Sequence, residues 1–265
     1  MQAVILCGGK GLRMGYDANF TSKPLVKIGG MPILWHIMKS YKYFNIDEFV
    51  LCLGHNGEAI KDYFINMNWR NNDFQLKKNK NSLKLNFLNS TESWNIIFAD
   101  TGPETMTGGR IKRIQKYVDG DEFMLTYGDG ISDIPISELY KFHKEKGKIA
   151  TVTGIKPRSG YGVMSVEDGI VSRFEEKPIM DNWINAGYFV LNKAVFDYIS
   201  DDEKCVWEEE PLRQLVLDRE LAIYQHNGFW QSIDTVKDAQ AVNDMWNNNN
   251  RPWVRWQLSQ NGSKS

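Results

Sequence analysis

The chain opens with an unbroken apolar run, Ala3-Val4-Ile5-Leu6-Cys7, that breaks into Gly8-Gly9-Lys10-Gly11-Leu12-Arg13. A short continuous apolar run bounded by glycine is what a strand covered on both faces requires. Ser22-Lys23-Pro24 and Gly29-Gly30 follow, and from Pro32 onward Ile33, Leu34, Ile37, Met38 and Tyr41 recur on one helical face. The order is strand, glycine turn, basic loop, helix. Glycines let the backbone approach an anion closely, and the exposed N–H groups of such a loop form an anion cradle. Arg13 and Lys23 add positive charge beside it. The spacing matches neither the dinucleotide fingerprint nor the P-loop ending, so a tight strand-to-helix turn is the competing reading.

The same alternation continues along the chain. Strands are expected at 48–53, 95–99, 122–127, 149–155 and 187–191, and helices over 57–65, 107–118, 136–146, 211–217 and 235–246. In the last of these Val236, Ala239, Val242 and Met245 repeat at helical spacing. Repeated strand–helix units imply an α/β fold with a mostly parallel sheet covered on both faces. Residues 161–166 and 170–175 flank Asp168-Gly169, a hairpin turn. The Asn-rich stretch 68–92 reads as a hairpin or an arm. Thr107 is expected to cap its helix, and Gly108-Gly109 at a helix start implies that something approaches that backbone closely. No internal repeat or linker appears, so one compact unit is expected, with a tail fraying after Trp256.

Composition narrows the function. Among 265 residues, 32 are Lys or Arg and 33 are Asp or Glu, a net charge of −1, which provides no basic field for nucleic acid. Lys77, Lys78, Lys80 and Lys84 are locally basic and read as solvated surface. Cys7, Cys52 and Cys205 show no C-x-x-C spacing, which argues against zinc, and His36, His55, His143 and His226 show no ligand spacing. No apolar run approaches the roughly 20 residues of a membrane span. A cytoplasmic protein is expected.

Four segments can carry chemistry. The glycine loop is the first. In Tyr127-Gly128-Asp129-Gly130, Asp129 falls just past the carboxyl end of a strand, where open parallel sheets bind ligands. A hard carboxylate there suits Mg²⁺, although an aspartate beside glycines is also ordinary turn chemistry. Phe174-Glu175-Glu176-Lys177-Pro178 offers a lysine for a phosphomonoester and a carboxylate for hydroxyls, or simply an exposed turn. In Gly228-Phe229-Trp230-Gln231-Ser232-Ile233-Asp234-Thr235, Asp234 is either a helix cap or a second metal ligand. Asn185-Ala186-Gly187 can set an amide against a substrate. Trp207-Glu208-Glu209-Glu210-Pro211 reads as an acidic helix start.

In this order the segments resemble the sugar-1-phosphate nucleotidylyltransferase family, from Ala3 to about Trp256. Three are most similar to its cytidylyl-transferring branch. They are Asp100-Thr101-Gly102 with Thr105-Met106-Thr107-Gly108-Gly109-Arg110, Tyr127-Gly128-Asp129-Gly130, and Gly228-Phe229-Trp230-Gln231 with Asp234-Thr235. The resemblance implies a Rossmann-like, doubly wound mixed sheet with helices on both faces and a small β-rich sugar-binding part. It implies a single nucleotidyltransferase domain over 1–256, with 1–150 mainly nucleotide-binding, 151–256 mainly sugar-phosphate-binding, and 257–265 a disordered tail. The implied reaction joins CTP and α-D-glucose 1-phosphate into CDP-glucose and pyrophosphate, with Mg²⁺ on Asp129 and Asp234 and a homo-oligomer, a hexamer, as the assembly. Arg13 and Lys23 would hold the triphosphate. Leu6, Gly8, Gly9, Gly11, Thr107, Gly108 and Arg110 would serve the nucleotide, with Asp129 on its phosphates. Tyr127, Gly128, Glu176, Lys177, Asn185 and Gly187 would face the sugar phosphate, and Lys177 would join Arg13 and Lys23 as catalytic cations. Three places depart from the family pattern. Leu12 replaces a threonine, Thr21-Ser22-Lys23-Pro24 keeps one lysine of two, and Ala186 and Tyr188 replace glycine and phenylalanine. A different acceptor sugar or polyol phosphate, or a binding protein without catalysis, are the competing readings.

Overall fold

The computed structural model describes residues 1–9, 22–79, 82–89 and 92–256. Gly11, Leu12 and Arg13 lie outside the described residues. Its strands are β1 (Gln2–Leu6), β2 (Lys27–Ile28), β3 (Met31–Pro32), β4 (Glu48–Leu53), β5 (Phe74–Lys78), β6 (Leu83–Phe87), β7 (Asn95–Asp100) and β8 (Glu122–Tyr127). They continue with β9 (Gly130–Ser132), β10 (Ala150–Ile155), β11 (Val163–Glu167), β12 (Ile170–Glu175), β13 (Ile184–Asn192), β14 (Leu221–His226) and β15 (Trp230–Ser232). The helices are α1 (Ile33–Tyr43), α2 (Gly57–Asn71), α3 (Thr107–Arg113), α4 (Ile136–Lys146), α5 (Glu210–Leu217) and α6 (Val236–Asn247).

Seven strands form the central sheet in the order β14-β10-β13-β8-β1-β4-β7. All neighbours are parallel except on the two sides of β13, which runs antiparallel to β10 and to β8. The carboxyl ends of β1, β4, β7, β8, β10 and β14 therefore share one edge with the start of β13.

Side-chain alternation explains why β1 is apolar from Ala3 to Leu6. Ala3, Ile5 and Cys7 enter one core cluster with Ile33, Leu34, Ile37 and Met38 of α1 and Val242 of α6. Val4 and Leu6 enter a second cluster on the opposite face with Ile111 of α3, Trp207 and Leu215 of α5. Successive residues of a strand point to opposite faces, so a strand covered on both faces favours apolar side chains at consecutive positions. The expected doubly wound fold is what forms, with helices on both faces.

Local signals account for several boundaries. Thr235 caps α6 through a reciprocal capping box with Asp238. Gly147, at φ +59°, ends α4 in the left-handed conformation. Asp168 and Gly169, at φ +50° and +79°, make the turn between β11 and β12. The helix expected over 57–65 runs on to Asn71, because Ile60, Phe64 and Met67 keep a buried stripe through polar surroundings. The 68–92 stretch forms the β5–β6 hairpin. Among the described residues no helix is long and apolar enough to cross a membrane.

The C-terminal segment closes over α1. His36 is 1% exposed and contacts the rings of Trp35, Trp246, Trp253 and Trp256. Its Nε2 lies 2.8 Å from the Ile28 carbonyl oxygen. Burial pushes its pKa down to about 4 from 6.5, against a smaller upward effect of that carbonyl. The unfolded imidazole thus takes a proton near pH 6.5 and the folded one only near pH 4. The stability owed to keeping it neutral is complete above 6.5 and is lost as pH falls through this window. The loss is about 3 to 4 kcal/mol at roughly 1.4 kcal/mol per pKa unit. A His36→Gln variant should show a flatter dependence of thermal midpoint on pH between 4 and 6.5. An equal slope in both proteins would remove His36 as the cause.

Candidate active site

The β9–β15 pairing joins the two acidic loops at the carboxyl edge of the sheet. Gly130 faces Ser232 and Ser132 faces Trp230, and the Ile233 N–H donates to the Asp129 carbonyl at 2.9 Å. This places the carboxylates of Asp129 and Asp234 around one cation, the Lys23 ammonium, which lies 2.6 Å from Asp129 Oδ2 and 2.6 Å from Asp234 Oδ1. Lys23 opens a short 3-10 turn, Lys23–Leu25, whose Pro24 is buried. Its side chain is only 15% exposed, against 32% and 36% for the two carboxylates. Burial works against the ammonium, but the charges and hydrogen bonds of Asp129 and Asp234 outweigh it and raise its pKa. Asp234 Oδ2 accepts a further hydrogen bond from Ser232 Oγ at 2.7 Å. The capping role open to Asp234 falls to Thr235 instead.

The donor set fits a hard divalent cation. Two carboxylates at the carboxyl edge of a parallel sheet are the usual protein share of a Mg²⁺ shell, the rest coming from phosphate and water. A protein cation already bridges the same two groups, so the geometry accommodates positive charge between them. Among the described residues no group of three or more His, Cys, Asp and Glu could hold a metal ion alone.

The start of the glycine loop is held from below. The Gly128 N–H donates to the Leu6 carbonyl and the Cys7 N–H to the Cys52 carbonyl. Arg110, at 4% exposure, donates to the carbonyls of Gly8 (2.9 Å), Leu53 (3.0 Å) and Gly102 (2.8 Å), and to Thr101 Oγ1 at 2.8 Å. Among the described residues it makes no ion pair, and burial lowers its pKa. A residue expected to face the nucleotide thus turns its donors to its own chain and ties the ends of β1, β4 and β7 together. A Cβ built on Gly8 or Gly54 would lie within 2.3 Å of its guanidinium, which explains the glycines on both sides of it.

The two glycines that open α3 are explained by another part of the chain. A Cβ on Gly108 would lie 2.5 Å from Cys205 Sγ, and one on Gly109 3.0 Å from the Asp202 carbonyl. The segment 202–205 is the close approach that the sequence called for. Thr107 does not cap the helix. Met106 occupies the cap position without a side-chain bond, and Thr107 Oγ1 accepts from the Trp207 N–H at 2.9 Å and donates to Glu208 Oε2 at 2.6 Å.

At the start of β13, the Tyr127 ring crosses Gly187, where a Cβ would lie 2.3 Å from Tyr127 Cδ2 and φ is +78°. Asn185 Oδ1 accepts from the Gly187 N–H at 2.7 Å. Trp230 Nε1 donates to the Ala186 carbonyl at 2.7 Å. Tyr127 Oη donates to Glu208 Oε1, and burial followed by the Glu208 charge raises the Tyr127 pKa. Glu208 was expected at an acidic helix start, yet α5 begins at Glu210 and Glu208 instead accepts hydrogen bonds from Thr107 and Tyr127. Lys177 lies two residues beyond the end of β12, in the left-handed region at φ +49°. It is exposed, its Nζ 3.8 Å from Glu176 Oε1, and Arg158 holds its carbonyl at 3.1 Å. Thus Lys23, Asp129 and Asp234 come into contact, as do Tyr127, Asn185 and Gly187, while Glu176 and Lys177 stand on the exposed hairpin end.

A family model described as nucleotidyl transferase matches residues 2–248. The "Probable glucose-1-phosphate cytidylyltransferase" of Bacillus subtilis (strain 168) is 47% identical over 256 residues, covering 97% of this chain and 100% of the relative. The glucose-1-phosphate cytidylyltransferase of Salmonella typhimurium is 42% identical over 259 residues, with coverage of 97% and 100%. Among solved structures, HddC from Yersinia pseudotuberculosis superposes with a TM-score of 0.67 at 19% identity, covering 92% of this chain and 99% of that one.

Proposed function

The chain belongs to the nucleotidyl transferase family, and on that footing we propose that it joins CTP and α-D-glucose 1-phosphate into CDP-glucose and pyrophosphate. The observation that carries the reading is the Lys23 ammonium held 2.6 Å from both Asp129 and Asp234, in a chain 42% to 47% identical along its length to glucose-1-phosphate cytidylyltransferases.

A phosphate oxygen of the sugar phosphate attacks the α-phosphorus of CTP in line, and the bond to pyrophosphate breaks. The protein supplies no covalent intermediate. It positions two polyanions and neutralises their charge. Lys23 and Arg13 hold the triphosphate. Asp129 and Asp234 would hold Mg²⁺, which would supply positive charge to offset the negative charge of the phosphates. The backbone of Leu6, Gly8, Gly9 and Gly11 lines the nucleotide side with Thr107 and Gly108, and Arg110 keeps that surface in shape. Tyr127, Gly128, Asn185 and Gly187 face the acceptor, with Lys177 on its phosphate and Glu176 on its hydroxyls. The nucleotide side belongs mainly to residues 1–150 and the acceptor side mainly to 151–256, in a cytoplasmic homo-oligomer, a hexamer.

A crossed assay of four nucleoside triphosphates against a panel of sugar and polyol phosphates, read as released pyrophosphate, tests this. Divalent-cation-dependent release with CTP and glucose 1-phosphate is expected to exceed every other pairing. Equal rates with all triphosphates would overturn the cytidine assignment, and preference for another phosphate would overturn the acceptor. CTP binding without turnover would leave only a binding protein.

A further inference from the structure

We infer that Glu208 is a positioning residue that couples the two substrate sides, a role resting on the reading above. Its carboxylate accepts one hydrogen bond from each side. Oε1 accepts from the hydroxyl of Tyr127, at the end of β8 and across Gly187, and Oε2 accepts from Thr107 Oγ1, the first residue of α3, at 2.6 Å. Glu208 lies 101 positions from Thr107 and 81 from Tyr127 in the chain.

The backbone that carries this exposed carboxylate is held firmly. Trp207, fully buried, packs its ring 5.7 Å from that of Phe189 and pins the backbone beside Glu208 to the core. The segment preceding it is laced to α3 by three hydrogen bonds. The Met106 N–H donates to the Glu203 carbonyl (2.7 Å), the Gly109 N–H to the Cys205 carbonyl (3.1 Å), and the Trp207 N–H to Thr107 Oγ1 (2.9 Å). The last of these fixes the direction of the Thr107 hydroxyl. Its lone pair is taken by Trp207, so its proton points at Glu208. Hydrogen bonds to a charged acceptor are the strong ones, and one carboxylate that accepts from two hydroxyls ties the ring of Tyr127 and the entry of α3 to each other. Positioning of this kind changes substrate affinity through the residues it orients.

The prediction is a pattern in KM. Tyr127→Phe removes the acceptor-side arm and should raise KM for glucose 1-phosphate about tenfold, leaving that for CTP within about twofold. Thr107→Val removes the other arm and should do the reverse, with Thr107→Ser restoring the wild-type value. Glu208→Gln should raise both constants, and adding Tyr127→Phe to it should cost no more than about a further twofold, because the shared partner is already lost. A thermal midpoint for each variant separates a weakened fold from misplaced substrates, and Glu208→Asp carries the same comparison should the glutamine variant fail to fold. Unchanged constants in Glu208→Gln, or effects of Glu208→Gln and Tyr127→Phe that simply multiply, would overturn the inference. The wild type is assayed first with the crossed panel. If another substrate pair turns over, the proposed substrates fail, and the coupling is then judged with that pair.

Discussion

Replacing Lys23 by methionine is expected to reduce turnover roughly 10²–10³-fold and to lower stability at neutral pH. Both effects have one origin. The ammonium stands 2.6 Å from Asp129 Oδ2 and 2.6 Å from Asp234 Oδ1 and is largely enclosed by the protein. Without it the carboxylates of Asp129 and Asp234 lose the cation they share, and like charges held close together favour protonation of one of them. The stability deficit should therefore narrow as the pH is lowered toward the carboxylate range, and it should also narrow when a divalent cation is added. The turnover deficit should persist under both treatments, because the triphosphate has lost a cation that methionine cannot replace. Thermal midpoints against pH, with and without Mg²⁺, and single-turnover pyrophosphate release measure the two separately. A midpoint at neutral pH equal to that of the wild type would show that the carboxylates do not rely on Lys23. Turnover within tenfold of the wild type would remove it from the triphosphate.

Arg110→Met should destabilise the fold by about 3 kcal/mol, since the buried carbonyl of Gly8 and the half-buried carbonyl of Gly102 lose a charged donor. For a domain of this size that corresponds to a fall of roughly 6–12 °C in thermal midpoint. The same change should weaken CTP binding, because Gly8 opens the glycine loop. Arg110→Lys keeps the charge but not the planar fork. It cannot reach from Gly8 to Leu53, Thr101 and Gly102 together, and should recover less than half of the loss. Calorimetric unfolding and a CTP titration read the two effects. If Arg110→Lys matches the wild type in both, the fork geometry is irrelevant and charge alone suffices.

Much of the scaffold was legible because its signals are local. The strands expected at 48–53 and 122–127 and the helix expected at 136–146 form with those same ends. Apolar runs and the 3.6-residue repeat depend only on which residues stand next to each other along one element. Where local chemistry misled, the true partner lay far away. Thr107 looked like a cap because threonine usually is one, but its hydroxyl is taken by Trp207 and Glu208, about a hundred residues on. Glu208 looked like one acid among three at a helix start, and nothing adjacent to it marks it as different from Glu209. Arg110 was set against the nucleotide by the family resemblance, and only the converging carbonyls of three strand ends show where its donors go.

The sequence by itself determined the residue types at the site and the elements that carry them. It placed a glycine turn after a doubly buried strand, one aspartate past the end of β8, another just before α6, and a lysine ahead of a proline. The tertiary structure decided which of these meet. Lys23 lies 106 positions from Asp129 and 211 from Asp234, and no periodicity spans such intervals. The contact exists because β9 pairs with β15 and because β8 lies beside β1 in the sheet. Strand order is set by the packing of two whole core faces, a property of the entire chain rather than of any window in it.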